Sequence, residues 1–238
     1  MALADMAKAV ERIIGAIAHH ERIAIHGDYD VDGITSTVIL RRALELLGAQ
    51  CHPLHPGAAA RWLRSAAGGR RSAPRRGGRA DHVGRLRHPR RRCAPRARVN
   101  CGVDLIITDH HEPDGELPSA FAVINPKRAD CTYPDKYLAG VGVALKMVQA
   151  LCRRTAAQLA AGFIKIAAIG TLADVVPLVG ENRVIAKLGL DLLSRGPHKV
   201  GLRALLDVVR SRPARRSTVI TFVSAGAADQ RRRTHEHT

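Results

Sequence analysis

Three places in the chain carry residue types able to do chemistry at useful spacing. The first is His26-Gly27-Asp28-Tyr29-Asp30-Val31-Asp32-Gly33, with one imidazole and three carboxylates on a single short stretch. Carboxylates crowded together raise one another's pKa and are unfavourable unless a cation neutralises them. Carboxylate and imidazole together form a donor set for hard or borderline divalent ions. In extended backbone, residues two apart share a side, so the spacing predicts that His26, Asp28, Asp30 and Asp32 point the same way before Gly33 lets the chain turn. D-x-D-x-D-G also opens a calcium loop, but that loop needs a Glu six residues after its Gly. Here that position is Ile39, and a strand pattern rather than a helix precedes the stretch. An acidic turn capping a helix is the plainer alternative.

The second place is Asp109-His110-His111, where His suits a borderline divalent ion and Asp can orient an imidazole. Its plainer reading is a polar strand end. The third is Asp174, the one acid in Thr171-Leu172-Ala173-Asp174-Val175-Val176-Pro177-Leu178. A carboxylate in such a run is paired, hydrogen-bonded or on a metal, the alternative being a hydrogen-bond partner for a helix end.

The elements that must position these groups follow from periodicity. Met6, Val10, Ile13, Ile14 and Ile17 recur at helical spacing and predict a helix over about 3–19. A strand is expected at 22–26, then a helix over 34–47 closed by Gly48 as C-cap. From about 55 to 99 periodicity vanishes. It returns in Val103-Asp104-Leu105-Ile106-Ile107-Thr108, a buried-type strand, followed by a short strand at 121–124 before Asn125-Pro126. Helices are expected over 137–152, opening on Gly140-Val141-Gly142, and over 156–173. Strands alternating with helices predict an α/β fold, a parallel sheet flanked by helices. In such sheets ligands sit at the carboxyl ends of strands, where the first two clusters fall. The glycines at 140 and 142 could offer backbone N–H groups to a phosphate, or simply permit close helix packing.

Composition bounds the rest. The 238 residues, 46% hydrophobic, suffice for one large domain or two small ones with a real core. The N-terminal sequence has no apolar signal region and no run reaches membrane-span length, so a cytoplasmic protein with no membrane partner is expected. Five cysteines, at 51, 93, 101, 131 and 152, form no C-x-x-C pair and suit reduced thiols. The net charge of +17 is concentrated: residues 55–100 contribute +13, with 14 Arg and no Lys, and residues 210–238 contribute +5, leaving the remainder near neutrality. A phosphate-binding face is normally spread over folded elements, whereas here two Arg/Gly/Pro/Ala-rich tracts carry the charge.

The ordered series HGDYDVDG, LIITDHHEP, VINPKR, LAGVGVALK and IGTLADVVPLVGENR resembles the DHH phosphoesterase superfamily, and within it the RecJ-type single-strand-specific 5′-to-3′ exonucleases. The match covers roughly residues 1–54 and 100–223. It implies a two-metal phosphodiesterase of DNA repair and recombination using Mn²⁺ or Mg²⁺, with single-stranded nucleic acid, DNA ahead of RNA, as partner. It also implies His26, Asp30, Asp32, His110 and Asp174 as metal ligands, with Asp28, Asp109 and His111 supporting the site or contacting the scissile phosphate. Two ions roughly 3.5–4 Å apart can activate a water and stabilise the leaving oxygen.

The departures from the family pattern are equally specific. A further motif, D-C-G on a strand between the first cluster and DHH, supplies an aspartate expected to bridge the two metals, and the chain lacks it. Back-translating residues 54–68 and displacing the frame by one nucleotide gives CIPERLRDGYGLQPA, which has RecJ character. The same operation from Asp81 to Ala94 gives ITSADCGIRAVDA, containing the missing motif, and from Ser224 to His237 it gives PLAPRINAAGRMN. The expected organisation is therefore 1–54 and 100–223 as two parts of one DHH domain, 55–99 out of frame and without a normal core layer, and 224–238 an aberrant tail. A true low-complexity basic insertion is the competing reading. The resemblance also implies a second domain across the cleft, and with it absent the chain as written is expected to have little nuclease activity. Two other functions are weighed against this. One is a different DHH phosphoesterase, such as an oligoribonuclease, a cyclic-dinucleotide phosphodiesterase or an inorganic pyrophosphatase. The other is a non-enzymatic basic nucleic-acid-binding protein working through Arg61–Arg98, which would bind with steep salt dependence and no need of metal.

Overall fold

Ile23-Ala24-Ile25 and Leu105-Ile106-Ile107 are apolar at consecutive positions, the mark of strands covered on both faces. The computed structural model, which describes residues 3–54, 80–84, 103–113, 115–195 and 197–210, places them inside a five-stranded sheet. The strands are β1 (Arg22–His26), β2 (Gln50–Leu54), β3 (Ala80–Gly84), β4 (Leu105–Thr108) and β5 (Ala122–Ile124). Their order is β2-β1-β3-β4-β5, with every neighbouring pair parallel. The order reverses beside β1, so the carboxyl ends of β1, β3 and β4 border the crevice where doubly wound sheets bind ligands.

The helices are α1 (Met6–Ala18), α2 (Val31–Leu46), α3 (Gly140–Thr155), α4 (Ile164–Ala173), α5 (Gly180–Arg195) and α6 (Val200–Arg210). Met6, Val10 and Ile13 of α1, Ile39, Leu40 and Leu44 of α2, and Leu145, Met147 and Val148 of α3 form one core with Ile23, Ile25, Ile106 and Ile124 of the sheet. Leu105, Ile107 and Val123 are buried in a separate, smaller cluster, as their alternation with Ile106 and Ile124 requires. Charged groups fasten α1 to the sheet: Arg12 bridges Glu21 and Asp104, and Asp5 accepts bonds from Val123 N–H and from Arg128.

Several expected boundaries move. Helix α2 begins at Val31 rather than 34, because the Asp30 carboxylate accepts from Gly33 N–H at 2.6 Å and caps the helix there. It ends as expected, with Gly48 just beyond at φ 89°. The helix expected over 137–152 opens at Gly140. The one expected over 156–173 breaks into a 3₁₀ turn, Ala160–Phe163, and α4, with Ala156 in the left-handed region at φ 55°. Strand β2 escapes sequence reading because Gln50-Cys51-His52-Pro53-Leu54 forms no apolar run and contains Pro53, tolerated on an edge strand where one side of the ladder is unpaired. Strand β3 lies inside the tract expected to lack regular elements, yet it pairs with both β1 and β4. Nothing in Ala80-Asp81-His82-Val83-Gly84 alternates or forms an apolar run. The rest of 55–99 and the tail 224–238 lie outside the described residues. No helix among the described residues is long and apolar enough to cross a membrane.

Candidate metal centre

Strand β1 ends at His26, and the next four residues turn the chain into α2. Gly27 and Gly33 make that turn tight: a Cβ on Gly27 would overlap Thr37 Oγ1, and one on Gly33 would lie 2.7 Å from Asp28 backbone atoms. The turn corrects the expectation that four side chains share one side of extended backbone. Asp30 Oδ1 is taken up by the helix cap. Asp28, half-buried, accepts from the N–H of exposed Tyr29. Asp32 lies in the first turn of α2, fully buried, and accepts from Val141 N–H at 2.6 Å through Oδ1. That bond satisfies one of the unpaired amides at the start of α3 and leaves the Gly140-Val141-Gly142 amide at Val141 serving a carboxylate.

Strand β4 delivers the second cluster. Asp109 N–H donates to Ile124 O at 2.9 Å, and the Asp109 carboxylate accepts from the N–H groups of His110 and His111 and, at 2.6 Å, from His111 Nδ1. Asn125, buried at the end of β5, donates from Nδ2 to His111 O at 2.8 Å. So braced, buried His110 points Nε2 to within 4.0 Å of Asp32 Oδ2 and 3.4 Å of Asp174 Oδ2. Asp174 follows the last residue of α4, and Val175 beyond it takes φ 57°, an outlier for a β-branched residue.

Asp32, His110 and Asp174 therefore form one group whose ligand atoms lie within 4.8 Å of one another, drawn from the start of α2, the end of β4 and the end of α4. Asp109, His110 and His111 form a second such group. His26, Asp28 and Asp30 enter neither group of ligand atoms. Residues that the sequence did not flag complete the junction. Gly170 on α4 has no room for a side chain, since a Cβ would overlap Thr35 Oγ1 of α2 and press on Val141 of α3. Asn125 and Asn182 are buried amides whose bonds fix neighbouring loops. All three lie inside the quoted motifs VINPKR and IGTLADVVPLVGENR, whose resemblance assigned them no role.

Two features fit a cation. The donor set Asp32, His110 and Asp174 is one that hard or borderline divalent ions take, and His26 Nδ1 is buried with no hydrogen-bond partner among the described residues, a costly state unless something else binds it.

Comparison with known proteins identifies the lineage of this arrangement. The family model described as the DHH family, N-terminal domain, matches residues 22–171, more than half the chain. The chain belongs to the DHH family. The single-stranded-DNA-specific exonuclease RecJ of Bacillus subtilis (strain 168) is 42% identical over 213 residues, which are 85% of this chain and 25% of that one. Among solved structures, RecJ from Thermus thermophilus in complex with Mn²⁺ superposes with TM-score 0.72 at 31% identity, covering 88% of this chain and 30% of that chain. An exonuclease RecJ bound to manganese superposes with TM-score 0.76 at 29% identity, covering 94% and 56%. The Thermus protein is also known in complex with Mg²⁺. This DHH chain thus spans about a quarter of the length of the Bacillus relative.

Proposed function

We propose that this DHH chain carries the metal-binding part of a phosphodiesterase that hydrolyses single-stranded nucleic acid, DNA ahead of RNA, with Mn²⁺ or Mg²⁺. The observation that carries the reading is the convergence of Asp32, His110 and Asp174 at the carboxyl end of a parallel sheet. Relatives named single-stranded-DNA-specific exonucleases support the substrate class. Asp32, His110 and Asp174 would hold one ion, and His26 and Asp30 belong to the site of a second. A divalent ion there supplies Lewis-acid polarisation of a phosphoryl oxygen and an acidified water. The chain itself contributes orientation. Asp109 accepts the Nδ1–H of His111 and fixes its tautomer, holding a half-exposed imidazole beside His110. Asp28, half-buried and accepting from Tyr29 N–H, is the further carboxylate proposed to support the site.

The same reading assigns residues 55–99 to translation out of frame. Its support is the position of β3: in the shifted string the Asp of D-C-G falls at position 85, directly after Gly84, the last residue of a strand flanked by β1 and β4. A carboxylate encoded there would follow the one strand between His26 and His110. With that aspartate absent, the chain as written is expected to cleave weakly or not at all. The test is Mn²⁺-dependent cleavage of a labelled single-stranded oligonucleotide by this chain beside a frame-restored, full-length relative of it. Cleavage by the restored protein alone is the expected result; equal turnover by both would overturn the assignment of the missing aspartate.

A further inference from the structure

The buried polar groups outside the ligand set include one side chain that bonds two segments flanking the centre at once. Asn182 is the third residue of α5 and is fully buried. Its Oδ1 accepts from Ala139 N–H at 3.3 Å, and its Nδ2 donates to Tyr137 O at 2.5 Å and to Pro177 O at 3.1 Å. Ala139 is the residue that caps α3, and two residues later Val141 N–H holds Asp32 Oδ1. Pro177 stands three residues after Asp174, on the segment that leaves α4 through the left-handed Val175. One amide therefore ties the helix start that grips Asp32 to the loop that follows Asp174.

We infer that Asn182 is a positioning residue for the metal centre, setting Asp32 and Asp174 at the separation His110 requires. The inference rests on the metal-binding reading above. Chemistry selects this residue type, because the position needs one acceptor and two donor bonds, and of the side chains of this size only an amide supplies both. A carboxylate would keep the acceptor and set its second oxygen against two carbonyls. The start of α5 has independent anchors: Glu181 N–H donates to Asp135 Oδ2 at 2.6 Å, and the Glu181 carboxylate meets Tyr133 Oη and Lys146 Nζ. Loss of the Asn182 amide therefore leaves the helix end attached while uncoupling the helix start that bonds Asp32 from the loop that follows Asp174. Groups that orient metal ligands are commonly worth about ten- to a hundredfold in affinity.

The experiment is Mn²⁺ titration of the full chain, by calorimetry and by electron paramagnetic resonance of the free ion, for the unaltered protein, Asn182→Ala and Glu181→Gln. Thermal unfolding of each metal-free protein is recorded alongside. The expected result is Mn²⁺ affinity lowered by about tenfold or more in Asn182→Ala and unchanged in Glu181→Gln, although Glu181→Gln also loosens the start of α5. Unaltered affinity in Asn182→Ala overturns the inference and leaves the metal-binding reading standing. Equal losses in both variants overturn it too, since general loosening of α5 would then explain the effect. If the unaltered chain binds no Mn²⁺, both readings fall. Should the alanine variant not fold, Asn182→Asp, nearly isosteric and unable to donate to Tyr137 O and Pro177 O, takes its place with the same expected loss and the same overturning result.

Discussion

The two sides of the proposed centre are built differently. On one side Asp32, His110 and Asp174 come from three elements far apart in the chain and meet within 4.8 Å. On the other, His26, Asp28 and Asp30 are neighbours in sequence, yet their ligand atoms enter no such group, and Asp30 spends one oxygen on capping α2. Sequence proximity of acidic residues thus says little about which of them converge. Long-range packing of α2 against α3 and α4 does the assembling, through Val141 N–H on Asp32 and the absence of a side chain at Gly170. His26 ends β1, which pairs with β3, the strand after which the proposed out-of-frame reading puts an aspartate.

This contrast can be broken most directly by removing a ligand from each side. His110→Ala or Asp174→Asn should weaken the tightest Mn²⁺ site by more than about a hundredfold, exceeding the loss seen when only a supporting group is removed, whereas His26→Ala should change that site by less than about tenfold on the same scale. A titration in which His26→Ala is the more damaging would reverse the assignment of the two sides. Gly170→Ala presses a methyl between Thr35 and Val141 and should cost about 1–3 kcal/mol of stability, as overpacking does. Denaturant unfolding reads it, and an unchanged midpoint would mean that the α2–α3–α4 junction is looser than argued.

A smaller and purely structural effect is expected at Asp5, which bonds Val123 and Arg128 rather than any proposed ligand. Burial pushes its carboxyl upward, but the Val123 N–H bond and the Arg128 guanidinium outweigh that and hold it below the ordinary carboxylate range. A carboxyl whose folded pKa is depressed contributes stability above its unfolded value and loses it as pH falls through the folded one. Asp5→Asn should therefore lower stability by about 1 kcal/mol at neutral pH, with the difference shrinking as pH is taken below about 4, and leave Mn²⁺ affinity alone. A pH-independent difference in unfolding free energy would exclude the ion pair as its source. The smallest effect is expected from Val175→Gly. Relief of the left-handed backbone is offset by the greater freedom of glycine in the unfolded chain, so the melting temperature should barely move. A large drop would show that the Val175 side chain, half-exposed in the structure, packs more than its surroundings indicate.

Much of this arrangement was legible in the sequence. The apolar runs at 23–25 and 105–107 marked β1 and β4, and strand-helix alternation pointed to the parallel sheet, because both signals are local. His110, Asp32 and Asp174 stood out as polar groups beside buried elements. What could not be read was of two kinds. The bonds of Asn182 join segments far apart in the chain, whereas the cap at Asp30 that moves α2 three residues earlier and the left-handed break at Ala156 are local features that hydrophobic periodicity does not carry. Strands β2 and β3 lack alternation, and β3 is recognised by its two partners rather than by its own residues.

On the proposed reading, one side of the centre is complete and the other lacks a carboxylate. Counting Mn²⁺ ions bound per chain tests it, by calorimetry on the protein as written and on one in which the reading frame across residues 55–99 is restored. One tight ion in the first and two in the second is the result expected. Two ions of comparable affinity already bound by the chain as written would contradict it.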